Sequence, residues 1–212
     1  MTQIININND NKHLFPEEKD VDYNKLQITD EGLYSITHPK YSELITKYIK
    51  ESLCNKKKME ELVITDATSN VGGNVLNFSK YFKNVNAIEL DKLTCDVLRN
   101  NINVYNRKNV NIYCGDSTKI LDNLTQDIIF FDPPWGGRKY MKSKYLILKL
   151  SNINISEIIN KYINKTLMIV MKVPININMS ELIKNINYCK IEFYKIRNYG
   201  LITFKKLCLY HI

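Results

Sequence analysis

From Leu62 onward the chain alternates short runs rich in Val, Ile, Phe and Tyr with segments whose apolar residues recur at helical spacing. That alternation is the pattern of a parallel sheet covered by helices, because each parallel strand needs a crossover to bring the chain back to the same end of the sheet. The runs predict strands over 61–66, 84–90, 110–115, 127–132, 166–173, 190–197 and 201–210, with helices over 73–82, 93–105, 118–124, 156–163 and 180–186. The last two strands have no helix between them and flank Asn198-Tyr199-Gly200, a turn-forming triplet, so a terminal antiparallel strand is expected. The predicted fold is therefore α/β: a seven-stranded, mostly parallel Rossmann-like sheet with helices on both faces and an antiparallel C-terminal strand.

Upstream, residues 1 to about 24 are polar and Asn-rich and predict an arm that orders only against the rest of the chain or a ligand. His38-Pro39 then precedes an apolar stripe of Leu44, Ile45, Tyr48, Ile49 and Leu53, which marks an amphipathic helix over 39–54. Two regions follow: an N-terminal arm and helix over 1–58 that contributes to the site, and the main α/β domain over 59–212.

Composition narrows the class further. With 44% hydrophobic and 25% charged residues the chain is of ordinary globular type, and no apolar run approaches a membrane span. The first residues lack the basic start and apolar stretch of a secretory signal, so an intracellular location, cytoplasm or nucleus, is expected. The five cysteines show no CxxC or Cys/His spacing, which predicts reduced core thiols and no metal. Thirty Lys and Arg against 22 Asp and Glu give +8, a balance that favours an anionic partner such as nucleic acid. Lys outnumbers Arg 26 to 4, however, as AT-rich coding alone would also produce.

In an open α/β sheet ligands bind beyond the carboxyl ends of the strands, so the residues closing each strand are the candidates. The first strand runs into Asp66-Ala67-Thr68-Ser69-Asn70-Val71-Gly72-Gly73-Asn74, where paired glycines permit a tight turn and close backbone approach to a ligand. The spacing is neither the GxGxxG of dinucleotide sites nor the GxxxxGK[ST] of P-loops. Glu89 closes the second strand, placed to accept from both hydroxyls of a ribose. Asp116-Ser117 follows the third, where the carboxylate could accept from an adenine amine. An acid at each of three consecutive strand ends fits a nucleoside whose charged part lies near the first loop.

The fourth strand ends Phe130-Phe131-Asp132-Pro133-Pro134-Trp135-Gly136-Gly137, the most specific feature of the chain. Prolines hold the backbone extended and carry no N–H, so the Asp132 carboxylate and Pro133 carbonyl can act together as fixed acceptors for one planar amine. A base amine is a poor nucleophile because its lone pair is delocalised; acceptors holding both hydrogens localise that pair toward an electrophile. Trp135, the single Trp, offers a flat face for stacking a base.

These residues carry a resemblance. Residues 60–135 resemble a class I S-adenosylmethionine-dependent methyltransferase, and Asp-Pro-Pro-Trp-Gly-Gly resembles the trimethylguanosine synthase family, which methylates the exocyclic N2 of the 7-methylguanosine RNA cap. Glu31-Gly32-Leu33-Tyr34-Ser35-Ile36-Thr37 is similar to that family's E-G-W-F-S-V-T, and Val173-Pro174-Ile175-Asn176 to its L-P-R-N. The likeness runs from about Leu26 to the C-terminus. It implies S-adenosylmethionine as cofactor, held by Thr37, Asp66, Gly72, Asn74, Glu89, Asp116 and Ser117. Asp132 and Pro133 would be catalytic, and Ser35, Trp135, Tyr140, Arg138 and Lys139 would bind an m7G-capped RNA. A monomer needing neither metal nor membrane, adding one methyl or two to N2, is implied.

Three departures from the family pattern stand out. Asn70 occupies a glycine position, which suits a left-handed conformation. His38-Pro39 displaces by one position the proline expected after Thr37. Ile175 replaces the arginine of L-P-R-N, so cap phosphates would have to be met by Lys25, Arg138, Lys139 or Lys142. Two other readings stay open: amino methylation of internal adenine or guanine in RNA or DNA, and a non-catalytic cap- or RNA-binding subunit.

Overall fold

The computed structural model describes residues 2–53, 57–142, 144–187 and 189–206, with the side chains of 138, 139 and 142 outside that description. Seven strands form the mostly parallel sheet that the alternation predicts. The chain divides into two compact units, residues 1–125 and 126–212.

In the first unit, β1 (Ile4–Asn6) pairs antiparallel with β2 (Gln27–Thr29), and two helices follow, α1 (Gly32–Ser35) and α2 (Pro39–Ser52). Three parallel strands come next in the order β3 (Val63–Asp66), β4 (Asn84–Glu89), β5 (Val110–Cys114), linked through α3 (Gly73–Phe78) and α4 (Lys92–Val104). A short α5 (Ser117–Ile120) ends the unit's regular structure. Helix starts follow local chemistry. His38 accepts from the Lys40 N–H with Pro39 in the first turn, Asp91 accepts from Thr94, and Asp116 accepts from both the N–H and hydroxyl of Thr118.

The arm is more ordered than its composition predicts. Ile7 and Phe15 are buried, Glu18 pairs with Arg107 and with Lys80 at 3.0 Å, and the Tyr23 and Tyr105 hydroxyls both donate to the Pro16 carbonyl. Asn101, fully buried on α4, accepts from the Gln27 N–H at 3.0 Å and donates to the Gln27 carbonyl at 2.9 Å and the Val71 carbonyl at 3.0 Å. One amide thus ties β2 to the glycine loop. Gln27 lies 74 and Val71 30 residues from Asn101 in the chain, so no local pattern announces these bonds.

The thiols also differ from expectation. Cys95 on α4 and Cys114 at the end of β5 form a disulfide, because the crossover helix returns beside the strand it leads into and brings their Cα atoms to 5.9 Å. Cys189 is free and half-buried, while Cys54 and Cys208 lie outside the described residues.

In the second unit, β6 (Ile128–Phe131) and β9 (Met168–Pro174) are parallel and buried along their whole length, which is why both read as apolar runs, broken in β9 by Lys172. Between them lie a small hairpin, β7 (Lys149–Leu150) with β8 (Ile153–Asn154), and α6 (Ile155–Tyr162). Then α7 (Met179–Lys184) leads to β10 (Lys190–Ile196) and β11 (Tyr199–Lys205), in the order β10-β11-β9-β6, with β11 antiparallel to both its neighbours. The predicted antiparallel strand is present, but the turn sits earlier than expected. Ile196 pairs with Tyr199, so Arg197 and Asn198 make the reversal, with Arg197 at φ 48°. Gly200 lies inside β11, where a Cβ would fall 2.4 Å from the Phe193 ring.

Among the described residues no helix is long and apolar enough to cross a membrane. The Asn101 bridge gives a test of the arm's anchorage. Asn101→Ala leaves the Gln27 and Val71 backbone groups without it and should lower stability by about 1–3 kcal/mol in chemical denaturation. Limited proteolysis should then cut first within residues 2–31. An arm as resistant as the wild type would show that its other contacts suffice.

Candidate active site

In the first unit the candidate residues converge on the loop between β3 and α3. Asn70 has φ 48° and Gly72 φ 105°, two left-handed residues that reverse the chain in the space of a few peptides. The departure at Asn70 is therefore accommodated as its residue type allows. Its side-chain oxygen accepts from the Val71 N–H, and its amide donates to Ser35 Oγ at 2.8 Å. At Gly73 a Cβ would stand 2.9 Å from the Thr37 carbonyl oxygen and 2.7 Å from the Ile36 side chain, so only glycine lets the segment after α1 lie against the helix start.

The acids are held by this loop. Asp66, fully buried, accepts from the Thr68 N–H at 3.1 Å. Glu89 accepts through Oε2 from the Asn70 N–H at 2.8 Å and through Oε1 from the Asp91 N–H at 2.9 Å. A carboxylate has about four acceptor sites, so these bonds orient it and leave capacity for ribose hydroxyls. Burial raises the Glu89 carboxyl above its ordinary value, with the backbone N–H groups of Asp91 and Asn70 acting against the rise. Thr37, buried, accepts from Asn74 Nδ2 at 3.2 Å, while Asn74 Oδ1 is buried without a hydrogen-bond partner. An orphaned buried acceptor, an oriented carboxylate and a loop pressed close by glycine fit a nucleoside carrying an amino-acid-like polar end. Asp116 sits after β5 as the cap of α5, with buried Ser117 beside it. Ser35, expected to meet substrate, ends α1 and its Oγ accepts from Asn70 Nδ2 on this loop.

In the second unit, Asp132 follows β6 and its Oδ2 accepts from Lys172 Nζ at 2.7 Å. Lys172 was not foreseen, yet the signal was present: a lysine inside the apolar run Met168-Ile169-Val170-Met171-Lys172-Val173 must find a partner. Phe131 is in register with Met171 on parallel strands, so the next residue of each chain is a lateral neighbour. The side chains of Lys172 and Asp132 are 9% and 16% exposed, which makes this a buried pair; losing one partner typically costs about 3–5 kcal/mol.

Trp135 is half-buried. Its ring meets the edge of Tyr140 at 5.1 Å and lies 6.4 Å from Tyr199, and the Lys172 ammonium stands 5.4 Å from the Trp135 centroid and 4.9 Å from that of Tyr199. Its Nε1 is buried without a hydrogen-bond partner. Tyr140, expected to meet phosphate, is held by its carbonyl, which accepts from Asn176 Nδ2 at 2.9 Å. Ile175 is 62% exposed. Of the cationic candidates, Lys25 is exposed and 3.4 Å from Asp22, whereas the Arg138, Lys139 and Lys142 side chains lie outside the described residues. Among the described residues no cluster of His, Cys, Asp and Glu is arranged to hold a metal ion.

A mostly parallel seven-stranded sheet with an antiparallel strand β11 and acids after its strands has the fold of class I methyltransferases. Solved structures agree at the level of fold. The precorrin-6y C5,15-methyltransferase of Geobacter metallireducens GS-15 superposes with a TM-score of 0.58 at 16% identity, covering 82% of this chain and 91% of that one. The T. thermophilus 16S rRNA N2 G1207 methyltransferase, in complex with AdoMet and guanosine, does so with a TM-score of 0.58 at 14% identity over 78% of this chain and 43% of that one. The family model for RNA cap guanine-N2 methyltransferases matches residues 61–210, and the chain belongs to that family. A protein of Acanthamoeba polyphaga mimivirus is 35% identical over 95% of this chain and 87% of its own length. The trimethylguanosine synthase of Schizosaccharomyces pombe is 30% identical over 62% of this chain, which spans 57% of that enzyme.

Glu89 yields a pH prediction. If its ionised form accepts the ribose hydroxyls, affinity for S-adenosylhomocysteine should fall as pH drops through a pKa lying above the ordinary glutamate value of about 4.3. Calorimetric titrations at descending pH should show that loss, and Glu89→Gln should bind weakly with little pH dependence. A wild-type affinity flat across the range would remove Glu89 from the contact.

Proposed function

We propose that this chain transfers a methyl group from S-adenosylmethionine to the exocyclic N2 of a 7-methylguanosine RNA cap. The observation that carries the reading is the Asp132-Pro133-Pro134-Trp135 segment at the end of β6, its acid held by Lys172, in a chain whose residues 61–210 match the cap guanine-N2 family. The name of the S. pombe relative, trimethylguanosine synthase, supports the same substrate.

When bound, S-adenosylmethionine supplies an electrophilic methyl on a sulfonium. Glu89 would hold the ribose, Asp116 and Ser117 the adenine end, and Thr37, Asp66 and Asn74 the amino-acid end. Asp132 and the Pro133 carbonyl would accept the two hydrogens of N2 and localise its lone pair. The chemistry the bound group would supply is transfer of that methyl to the N2 lone pair, with the C–S electron pair staying on sulfur. The nitrogen then loses one proton along its hydrogen bond to Asp132.

Trp135 would stack the base. An N7-methylated guanine is cationic, so stacking on Trp135 gains roughly 1–2 kcal/mol that plain guanine lacks. Tyr140 stands edge-on to Trp135, with ring centroids 5.1 Å apart.

Tritiated-methyl transfer to m7GTP, with GTP and a short uncapped RNA in parallel, tests the reading. Label on m7GTP alone is the expected result; label on uncapped RNA alone would move the activity to internal bases. Trp135→Ala should weaken m7GTP binding by about 1–3 kcal/mol while leaving S-adenosylhomocysteine binding within a few-fold of wild type. Unchanged cap affinity in that variant would sink the stacking role.

A further inference from the structure

We infer that Lys172 is a positioning residue for the methyl-accepting amine: its ammonium pairs with Asp132 and keeps that carboxylate ionised and oriented as an acceptor. The inference deepens the function proposed above and rests on it for the identity of the amine. Its geometric basis is independent of that function. β6 and β9 run parallel with Phe131 opposite Met171, so the sheet itself sets Asp132 beside Lys172, and Nζ lies 2.7 Å from Oδ2.

The surroundings leave the ammonium little freedom. Lys172 is 7% exposed and lies in β9, every residue of which is buried. The Tyr199 ring from β11 and the Trp135 ring both face its charge, at 4.9 and 5.4 Å from their centroids. Two aromatic rings and a carboxylate together make a cage that stabilises a cation in a dry place. The charged group facing Asp132 from β9 is this ammonium, and the rings that face the ammonium from other elements are Tyr199 of β11 and Trp135.

A buried carboxylate without such a partner would take up a proton near neutrality and become a hydrogen-bond donor on one oxygen. In that state one oxygen donates, the other accepts only as part of a neutral group, and the carboxyl can no longer take a proton from the amine. Burial does raise the Asp132 carboxyl, and the Coulombic pull and hydrogen bond of Lys172 oppose the rise. The sign follows: loss of the ammonium removes both opposing influences, raises the carboxyl further and shrinks the ionised fraction at neutral pH. Lys172 also fixes the plane of the carboxylate through Oδ2, which sets where the amine must sit. It acts through Asp132, without touching the substrate.

The experiment uses the full chain and the variants Lys172→Met, Lys172→Gln and Lys172→Arg, each with 13C-labelled aspartate carboxyls. The Asp132 signal is assigned by its absence from Asp132→Asn. In Lys172→Met the Asp132 titration should move up by about one pH unit or more, and in Lys172→Arg it should stay with the wild type. Lys172→Gln keeps a polar head in the same place and carries the test where the apolar variant unfolds. In parallel, kcat for m7GTP is measured against pH. The acid limb should move up together with the carboxyl in the uncharged variants, lowering kcat about tenfold at neutral pH, and Arg should return it. An Asp132 titration unmoved in the folded uncharged variants would overturn the inference, as would a loss of kcat equal at every pH, the mark of a packing role. If the wild type methylates no m7GTP, the cap reading falls, while the carboxyl titration still upholds or overturns the pairing.

Discussion

The turn from β3 into α3 is the constraint on which the first unit depends. A parallel strand must hand the chain to a helix at its carboxyl end, and here two left-handed residues, Asn70 and Gly72, make the reversal. Several residues around it are then placed by bonding to that loop or pressing on it. Glu89 takes the Asn70 N–H, Ser35 takes the Asn70 amide, Thr37 lies where a side chain on Gly73 would be, and Asn101 holds the Val71 carbonyl while gripping the arm. Backbone N–H groups thereby orient a carboxylate before any ligand arrives, which is how a site is preorganised at no cost during reaction.

The second unit solves a different problem. A carboxylate that is to accept from an amine, the role proposed for Asp132, gains strength from a dry place, yet dryness itself protonates carboxylates. Parallel register resolves the conflict by setting a lysine from the neighbouring strand against Asp132. Such a pair gains little for stability over apolar residues of similar size. Its presence in an otherwise apolar strand therefore points to chemistry at Asp132.

Much of this was legible beforehand for definite reasons. The strands are short and buried, so their apolar runs mark them, and the helices bury one face, so their periodicity does. Asp66, Glu89, Asp116 and Asp132 were visible because a strand end is a position that sequence can count to. The misses share one cause. Ordering of the arm through Asn101, the Cys95–Cys114 bond and the partnership of Lys172 with Asp132 each join residues far apart in the chain, through side chains that look unremarkable locally. The turn between β10 and β11 was misplaced for a related reason: Gly200 resembles a turn residue, but is glycine because Phe193 lies across it.

What the sequence by itself determined is the α/β alternation, the acid closing each strand and the rigid Asp-Pro-Pro-Trp segment, because these follow from the order of residues along a strand and the turn chemistry at its end. What only the tertiary structure decided is which groups those acids answer to. Glu89 is oriented by the backbone of another loop, and Asp132 by a lysine forty residues further on. Electrostatic partnership depends on distance through space and on the exclusion of water, and both come into being only when the strands are laid side by side.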